Sequence, residues 1–106
     1  MADHIIVLVT APSADEGRSV AKALVEARLC ACVNMIEGVK STFRWQGEVQ
    51  EEDEVLLVCK GREKDFPEIE KKVKEHHSYT VPEVIALHIQ KGYNEYLDWI
   101  TRETAR

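Results

Sequence analysis

The sequence predicts an α+β fold, a ferredoxin-like βαββαβ sandwich with a long β-hairpin and an extra C-terminal helix. Three observations lead to this prediction. Strand-like and helix-like segments follow one another along the chain in that order. Residues 31–60 have the pattern of two long strands joined at Gln46-Gly47, and a pair containing glycine is typical of a hairpin turn. After Gly92, apolar residues at helical spacing indicate a last helix, with Asn94 as its cap.

The first strand and the first helix are separated by a change of hydrophobic period. Residues 4–10 form a continuous apolar run, which is typical of a central strand buried on both faces. Pro12 ends this run, and Ser13 followed by Glu16 has the pattern of a capping box. The apolar spacing that follows predicts a helix over residues 14–28.

The hairpin is long for a chain of this size. Its predicted arms are residues 31–45 and 48–60, with Gly38 marking a bulge in the first arm. An arm of about 15 residues spans roughly 50 Å, whereas each of the other strand candidates covers about 20 Å. Because an isolated two-stranded ribbon is only marginally stable in water, Phe43 and Trp45 near the tip need a packing partner. We expect that partner to be another copy of the same chain.

The second half of the chain supplies one more helix and one more strand. A helix is predicted over residues 66–75, with Asp65 as its N-cap and Pro67 tolerated in its first turn. A fourth strand is predicted over residues 84–89. We expect its larger apolar residues, Ile85, Leu87 and Ile89, to face the core. His88 is expected on the opposite side of the strand.

Composition restricts the class of function. The 106 residues predict a single domain over positions 1–106, and the net charge of −5 argues against a nucleic-acid surface, which needs a basic patch. No apolar run approaches the roughly 18 residues of a membrane span, and residues 1–4 lack the basic region of a targeting signal. Three cysteines without framework spacing fit a reducing compartment, so we expect a cytoplasmic protein.

Two adjacent histidines, His76 and His77, end the second predicted helix. Imidazoles bind borderline metal ions, but neighbouring side chains on a helix diverge by about 100°, so a further ligand must come from elsewhere. The alternative is that the pair interacts with the negative end of the helix dipole. His88 is an additional candidate ligand, or it lies at a subunit interface.

Two cysteines, Cys30 and Cys32, lie two positions apart on the first arm, so we expect both on the same side of the strand. As thiolates they suit a soft metal ion such as Cu(I). The alternative is that both are small buried hydrophobic side chains, as we expect for Cys59.

A ligand-binding cleft is expected where subunits meet beside the hairpin, because pockets favour interfaces. Its predicted lining is polar and aromatic: Arg44, Trp45, Lys60, Tyr79 and Glu83. The acidic residues of the second arm, Glu48 and residues 51–54, indicate a solvated strand edge. The sequence contains no phosphate-binding loop, Ser-His-Asp set or zinc-spaced Cys/His pattern, so we predict no catalytic residues and no enzyme.

The sequence resembles the CutA divalent-ion tolerance family in four motifs, which occur in register over residues 5–100. They are VTAPS at 9–13, ARLCACVNMIEGVKSTFRWQGEVQEEDEVLLVCK at 27–60, HHSYTVPEVIALHI at 76–89 and YLDWI at 96–100. The resemblance implies a compact homotrimer, similar in design to the PII nitrogen regulatory proteins, in which each hairpin pairs with the sheet of a neighbouring subunit. It also implies tolerance of divalent metal ions, copper above all. We expect copper or another divalent cation as ligand and no cofactor that is required for folding.

The copper site implied by the resemblance uses a cysteine near the end of the first strand and a His-His pair. The pair matches His76 and His77, whereas Val9 occupies the cysteine position, so that ligand is absent. We therefore expect a homotrimeric copper-binding tolerance protein, or alternatively a PII-like trimeric scaffold that senses a small ligand in its inter-subunit clefts. The expected partners are further copies of the chain, with no nucleic acid and no membrane, and the sequence does not identify the small ligand.

Overall fold

The computed structural model describes residues 3–106; Met1 and Ala2, part of the segment expected to lack a targeting signal, lie outside the described residues. A short 3₁₀ turn precedes the second helix, and within residues 3–106 no helix is long and apolar enough to cross a membrane. The elements are β1 (His4–Ala11), α1 (Ala14–Glu26), β2 (Cys30–Trp45), β3 (Glu48–Arg62), α2 (Phe66–His76), β4 (Val84–His88) and α3 (Asn94–Glu103). This order confirms the predicted βαββαβ arrangement with an added helix.

The four strands form one antiparallel sheet in the order β2-β3-β1-β4, so β1 is central as predicted. Burial alternates along β1: Val7 and Val9 are fully buried beneath the helices, whereas Ile6 and Leu8 on the other face are half-buried. We expected β1 to be buried on both faces, but within one chain only the face beneath the helices is fully buried. The core beneath α1 and α2 is apolar and includes Val20, Leu24, Leu57, Ile69 and Val73.

The start of α1 follows the prediction only in part. Ser13 caps the helix by accepting a hydrogen bond from the Glu16 backbone N–H at 3.1 Å. The Glu16 carboxylate does not complete the capping box, because it accepts hydrogen bonds from Ser78. The helix ends at Glu26, earlier than predicted, since Arg28 adopts a left-handed φ of 58°.

Of the two other predicted caps, one is confirmed in position and the other is wrong. Asp65 occupies the N-cap position of α2, but it makes no side-chain capping bond, because its carboxylate accepts hydrogen bonds from Lys64 and Arg106. Tyr93 holds the cap position of α3, and Asn94 is the first helical residue. Asp and Asn are enriched at helix starts, but a tertiary contact or a shift of one residue overrides that preference.

The hairpin turns at Gln46 and Gly47, whose φ values of 52° and 84° are those of a tight turn matching the strand twist. The predicted bulge is confirmed: the β2–β3 register shifts between Ile36 and Val39, where Gly38 has φ 79°. The sequence pattern missed a second bulge, a shift between Cys30 and Cys32.

Residues 39–54, which we call the free ribbon, extend beyond the sheet. The last residue of β1, Ala11, pairs with Val55, so among residues 3–106 no third strand continues past that point. Phe43 and Trp45 on this ribbon are 37% and 44% exposed. The expectation that the tip is poorly covered by its own chain is confirmed.

The third helix packs on the sheet face opposite α1 and α2. His4 and Arg62 form a cross-strand pair on that face. His4 Nε2 lies 2.8 Å from the Thr101 hydroxyl, and Arg62 donates to Thr104 Oγ1 at 2.9 Å. Ile100 and Thr104 of α3 are fully buried, so this helix covers one end of the second face.

The rest of the second face is uncovered, and we call it the open face. Its members are apolar and lie directly opposite one another in the register; they are Ile6, Leu8, Ile36, Leu56, Val58, Ile85 and Leu87. Ile85 and Leu87 are 51% and 56% exposed. In soluble proteins in general, a contiguous apolar surface of this kind marks an interaction site.

The predicted orientation of β4 is therefore wrong. Ile85 and Leu87 lie on the open face, opposite Leu8 and Ile6, and His88 lies on the helix-covered side, opposite Ile5. The alternation of the strand was right, but alternation alone does not say which side the helices cover.

Asp65 anchors the C-terminal end of the chain. Its side chain is 4% exposed and accepts hydrogen bonds from Arg106 at 2.5 Å and from Lys64 at 3.1 Å. Arg106 also donates to the Arg28 carbonyl at 2.7 Å, next to the end of α1. Burial opposes the charge of Asp65, but the bonds from Arg106 and Lys64 outweigh burial and lower its pKa.

We predict that Asp65→Asn lowers the free energy of unfolding at pH 7 by about 1–3 kcal/mol, because a buried acceptor loses its charge-assisted bonds. Folding lowers the pKa of Asp65, so its carboxylate stabilises the fold above its ordinary pKa of 3.8, and this contribution is lost as the pH falls through the folded pKa. Urea unfolding should thus show a difference between wild type and variant that shrinks in acid. The exposed carboxylate of Asp15 provides the control, since Asp15→Asn should change stability by less than about 0.5 kcal/mol. A difference that grows in acid contradicts this assignment.

Candidate functional site

The two histidines of the predicted metal pair lie in different surroundings. His76 is the last residue of α2 and is exposed. His77 follows with extended backbone, φ −112° and ψ 137°, and none of its side chain is exposed. The change of backbone conformation between them places one imidazole in solvent and the other inside the protein.

Both ring nitrogens of His77 have hydrogen-bond partners. Nε2 lies 2.7 Å from the Thr10 carbonyl oxygen, and the Tyr79 backbone N–H donates to Nδ1 at 3.1 Å. A carbonyl only accepts and an amide N–H only donates, so the two partners assign the proton to Nε2 and the lone pair to Nδ1. The rings of His77 and Tyr79 also pack with centroids 4.8 Å apart. Both nitrogens of the His77 imidazole are therefore occupied by hydrogen bonds within the protein.

The carboxylate of Glu16 holds the same loop from the side of α1. Its Oε2 accepts hydrogen bonds from the Ser78 backbone N–H at 2.9 Å and from the Ser78 hydroxyl at 3.1 Å. The same oxygen is 3.4 Å from His77 Nδ1. The segment after α2 is thus attached both to the end of β1 and to the start of α1.

Tyr79 connects this loop to the hairpin. Its hydroxyl donates to Glu54 Oε2 at 2.8 Å, and Glu54 is only 8% exposed. Burial, followed by the bond to Glu54 and its negative charge, raises the pKa of Tyr79 to about 12. The phenol therefore remains a hydrogen-bond donor throughout the physiological pH range.

The two neighbouring cysteines do not lie on the same side of their strand, and that expectation was wrong. Cys30 pairs with Gly61 and Cys32 with Lys60, which are adjacent residues of β3, so the bulge between the cysteines turns them to opposite faces. Cys30 is buried beside Cys59, and the hydrogen bond to Cys59 together with burial raises its pKa. Cys32 is half-buried and lies near Tyr96. The two thiols cannot bind one ion together within a chain.

The remaining candidate ligand, His88, is exposed and hydrogen-bonds to Glu63. Among residues 3–106, no three His, Cys, Asp or Glu side chains are grouped so that they could hold a metal ion. The copper ligands that the family resemblance implies therefore do not fit together in a single chain. Val9 supplies no donor atom, and both ring nitrogens of His77 are already hydrogen-bonded. A metal site at His76 and His77 stays a prediction.

The residues of the predicted cleft are spread over one chain. At the turn, Arg44 donates to the Gly47 carbonyl oxygen at 3.4 Å, and Trp45 beside it is exposed. Lys60 hydrogen-bonds to Asn34 at the other end of β3, about 40 Å from the tip at the rise of an extended strand. Only a second copy could bring the tip next to Lys60.

The other two cleft residues lie near the middle of the molecule. Tyr79 is in the His77 network, and Glu83 is exposed just before β4. Two surface depressions, of about 430 and 240 Å³, lie along the outer side of α2. An inter-subunit cleft built from these residues stays a prediction.

Sequence reasoning missed the acidic partners of this network. Glu54 was grouped with the solvated acidic edge, yet it is buried, whereas Glu51, Glu52 and Asp53 are exposed. The available signal was its position, directly before the return of the apolar pattern at Val55. For Glu16, the capping-box pattern suggested a local partner and concealed the distant one.

The chain is similar to known proteins over nearly its whole length. The sequence model of the CutA1 divalent ion tolerance protein family matches residues 5–103. The divalent-cation tolerance protein CutA of Thermus thermophilus is 52% identical over 99 residues, which are 93% of this chain and 96% of that protein. A solved structure of the Thermus thermophilus protein superposes with a TM-score of 0.94 at 50% identity, covering 96% of this chain and 99% of that one.

A plant relative is longer. The chloroplastic CutA protein of Arabidopsis thaliana is 40% identical over 100 residues, which are 94% of this chain but only 55% of that protein. Since its name places that relative in the chloroplast, family membership does not fix a compartment, and the cytoplasmic location stays a prediction.

We predict that, in the native protein, at most one thiol per chain reacts rapidly with a soluble thiol reagent. Cys30 and Cys59 are buried and Cys30 has a raised pKa, so the reactive thiolate should come from Cys32. Cys32→Ser should abolish the rapid reaction, and unfolding in guanidinium chloride should expose all three thiols of the wild type. Rapid labelling of native Cys32→Ser would show that the assigned burial is wrong.

Proposed function

The chain belongs to the CutA1 divalent ion tolerance family, and from that premise we propose that it acts as a homotrimer in the tolerance of divalent metal ions, copper above all. The observation that carries this proposal is the open face. Its apolar residues continue the central sheet and include Ile85 and Leu87, each more than half exposed in a single chain. A surface of this kind is stable in water when a second copy covers it.

The free ribbon supplies the complementary element. It projects past the last β1–β3 pair and carries exposed Phe43, Trp45 and Val49. A ribbon that leaves one subunit and packs on the next forms a heterologous contact, which closes into a ring when the rotation between copies is 120°. Three copies would then cover all ribbons and all open faces, in agreement with the trimer that the family resemblance implies.

Metal binding in such an assembly would begin with His76. Its imidazole is exposed, whereas His77 is buried and hydrogen-bonded on both nitrogens. One imidazole is a weak metal site, so the further donors would come from neighbouring copies. Bound copper or another divalent cation would be held by these side chains, and the core of each chain does not depend on it.

A second candidate function is supported by the position of Arg44 and Trp45. They lie at the ribbon tip, where packing on a neighbour would bring them towards that subunit's Lys60, Tyr79 and Glu83. A cationic and aromatic lining of this kind suits a small anionic ligand. The chain would then be a PII-like trimeric scaffold that senses a metabolite between subunits.

We predict a trimer in sedimentation equilibrium at micromolar chain concentration. Leu87→Glu should shift the protein towards smaller species, because it places a charge in the apolar open face. The matched control is Val25→Glu, which adds the same charge at an exposed apolar position on α1, and it should leave the mass unchanged. A well-folded wild-type monomer at this concentration would refute the assembly and both functions that depend on it.

We predict that copper or zinc binding, measured by calorimetry, is weakened at least tenfold in His76→Ala, because the exposed imidazole is the expected donor. The His76→Ala/His77→Ala double variant should bind no more tightly than His76→Ala. His88→Ala serves as a control for the loss of an exposed histidine near an acidic residue. Equal binding by wild type and double variant would remove the His pair as the metal site.

A further inference from the structure

The point where the free ribbon leaves the sheet is defined by the register. Ala11, the last residue of β1, pairs with Val55, and Glu54 is the first residue of β3 beyond it. On the other arm, the bulge at Gly38 lies at the same level, between the Ile36–Leu56 and Val39–Glu54 pairs. A bulge bends its strand, so this level sets the direction in which the ribbon projects.

A bend of this kind is fixed only if a side chain holds it. Glu54 is buried at this level although its neighbours Glu52 and Asp53 are exposed. Its carboxylate accepts the Tyr79 hydroxyl hydrogen bond at 2.8 Å. A hydrogen bond to a buried carboxylate contributes more than one at the surface, and leaving such a carboxylate unpaired is costly. Tyr79 therefore links the ribbon base, residues 53–56, to the loop after α2.

His77 in turn fixes Tyr79. It connects the Thr10 carbonyl, one residue before the end of β1, with the Tyr79 backbone N–H, and its ring packs against the phenol. The Ser78–Glu16 bonds hold the same loop independently. Hydrogen bonds therefore connect the end of β1, through His77 and Tyr79, to Glu54 at the start of the free ribbon.

We propose that His77, Tyr79 and Glu54 form a clamp that sets the angle of the free ribbon for assembly, and that His77 is a positioning residue of this clamp and not a metal ligand. The consequence for assembly rests on the proposed trimer. A metal ion at Nδ1 would displace the Tyr79 N–H, and one at Nε2 would displace the Thr10 carbonyl, so metal binding would open the clamp. Among neutral side chains, glutamine is the closest substitute, since its amide also offers a donor and an acceptor.

The first experiment follows the four imidazoles of the full chain by long-range ¹H–¹⁵N NMR during titration with zinc. We expect His77 to keep its Nε2–H tautomer and both nitrogen shifts, while the shifts of His76 change. A zinc-induced shift at either nitrogen of His77 overturns the proposal. If zinc shifts none of the imidazoles, the proposed metal site fails while the assignment of His77 stands.

The second experiment measures amide hydrogen exchange at the ribbon base, residues 53–56, together with the trimer dissociation constant. His77→Ala and Tyr79→Phe should each speed exchange there and weaken assembly at least tenfold, and His77→Gln should restore most of both losses. Tyr79→Phe removes one oxygen and keeps the ring, so it tests the clamp even where His77→Ala does not fold.

The matched control is Tyr93→Phe, whose hydroxyl donates to the exposed Glu95 carboxylate and which should match wild type. Exchange in Tyr79→Phe that equals the wild type overturns the clamp. Faster exchange in a protein that is monomeric in every variant supports the clamp and removes the trimer, so the two failures differ.

Discussion

The structure depends on a mismatch between strand lengths. β2 and β3 have 16 and 15 residues, whereas β1 and β4 have 8 and 5, so antiparallel pairing across the whole sheet must stop partway along the hairpin. It stops at the Ala11–Val55 pair. Beyond that pair the two arms of the ribbon pair only with each other, and the apolar side chains of the ribbon have no layer to pack on. The bulge, the buried Glu54 and the loop after α2 all meet at this level.

The two faces of the sheet are covered by helices to different extents. One is closed by α1 and α2 over fully buried residues such as Val7 and Leu57, and the chain needs nothing further there. The other is covered only at one end, where Thr104 and Ile100 of α3 are buried. The large aliphatic side chains of β4 lie on this second face, although it is the more exposed one. Such an arrangement is favourable when the final buried surface includes a neighbouring subunit.

The surroundings of the candidate site come from distant parts of the chain. His77 and Tyr79 are among the candidate ligand-binding residues that the sequence indicates. Their partners come from distant segments: Thr10 is 67 residues from His77, and Glu54 is 25 residues from Tyr79. No local pattern encodes such contacts, and Glu54 appears in the sequence as one more member of an exposed acidic run. In the fold, each of these groups has a hydrogen bond to a segment that is distant in the sequence.

The sequence by itself determined the order of the elements, the turn at Gln46-Gly47 and the bulge at Gly38. These features follow from hydrophobic period and from backbone sterics, which act between residues close in the chain. Only the tertiary structure decided which side of β4 faces the helices, that Cys30 and Cys32 point to opposite faces, and that His77 is buried. Each of these outcomes depends on strand register or on a hydrogen bond between distant residues, and a shift of one residue in register reverses the direction of every side chain in a strand.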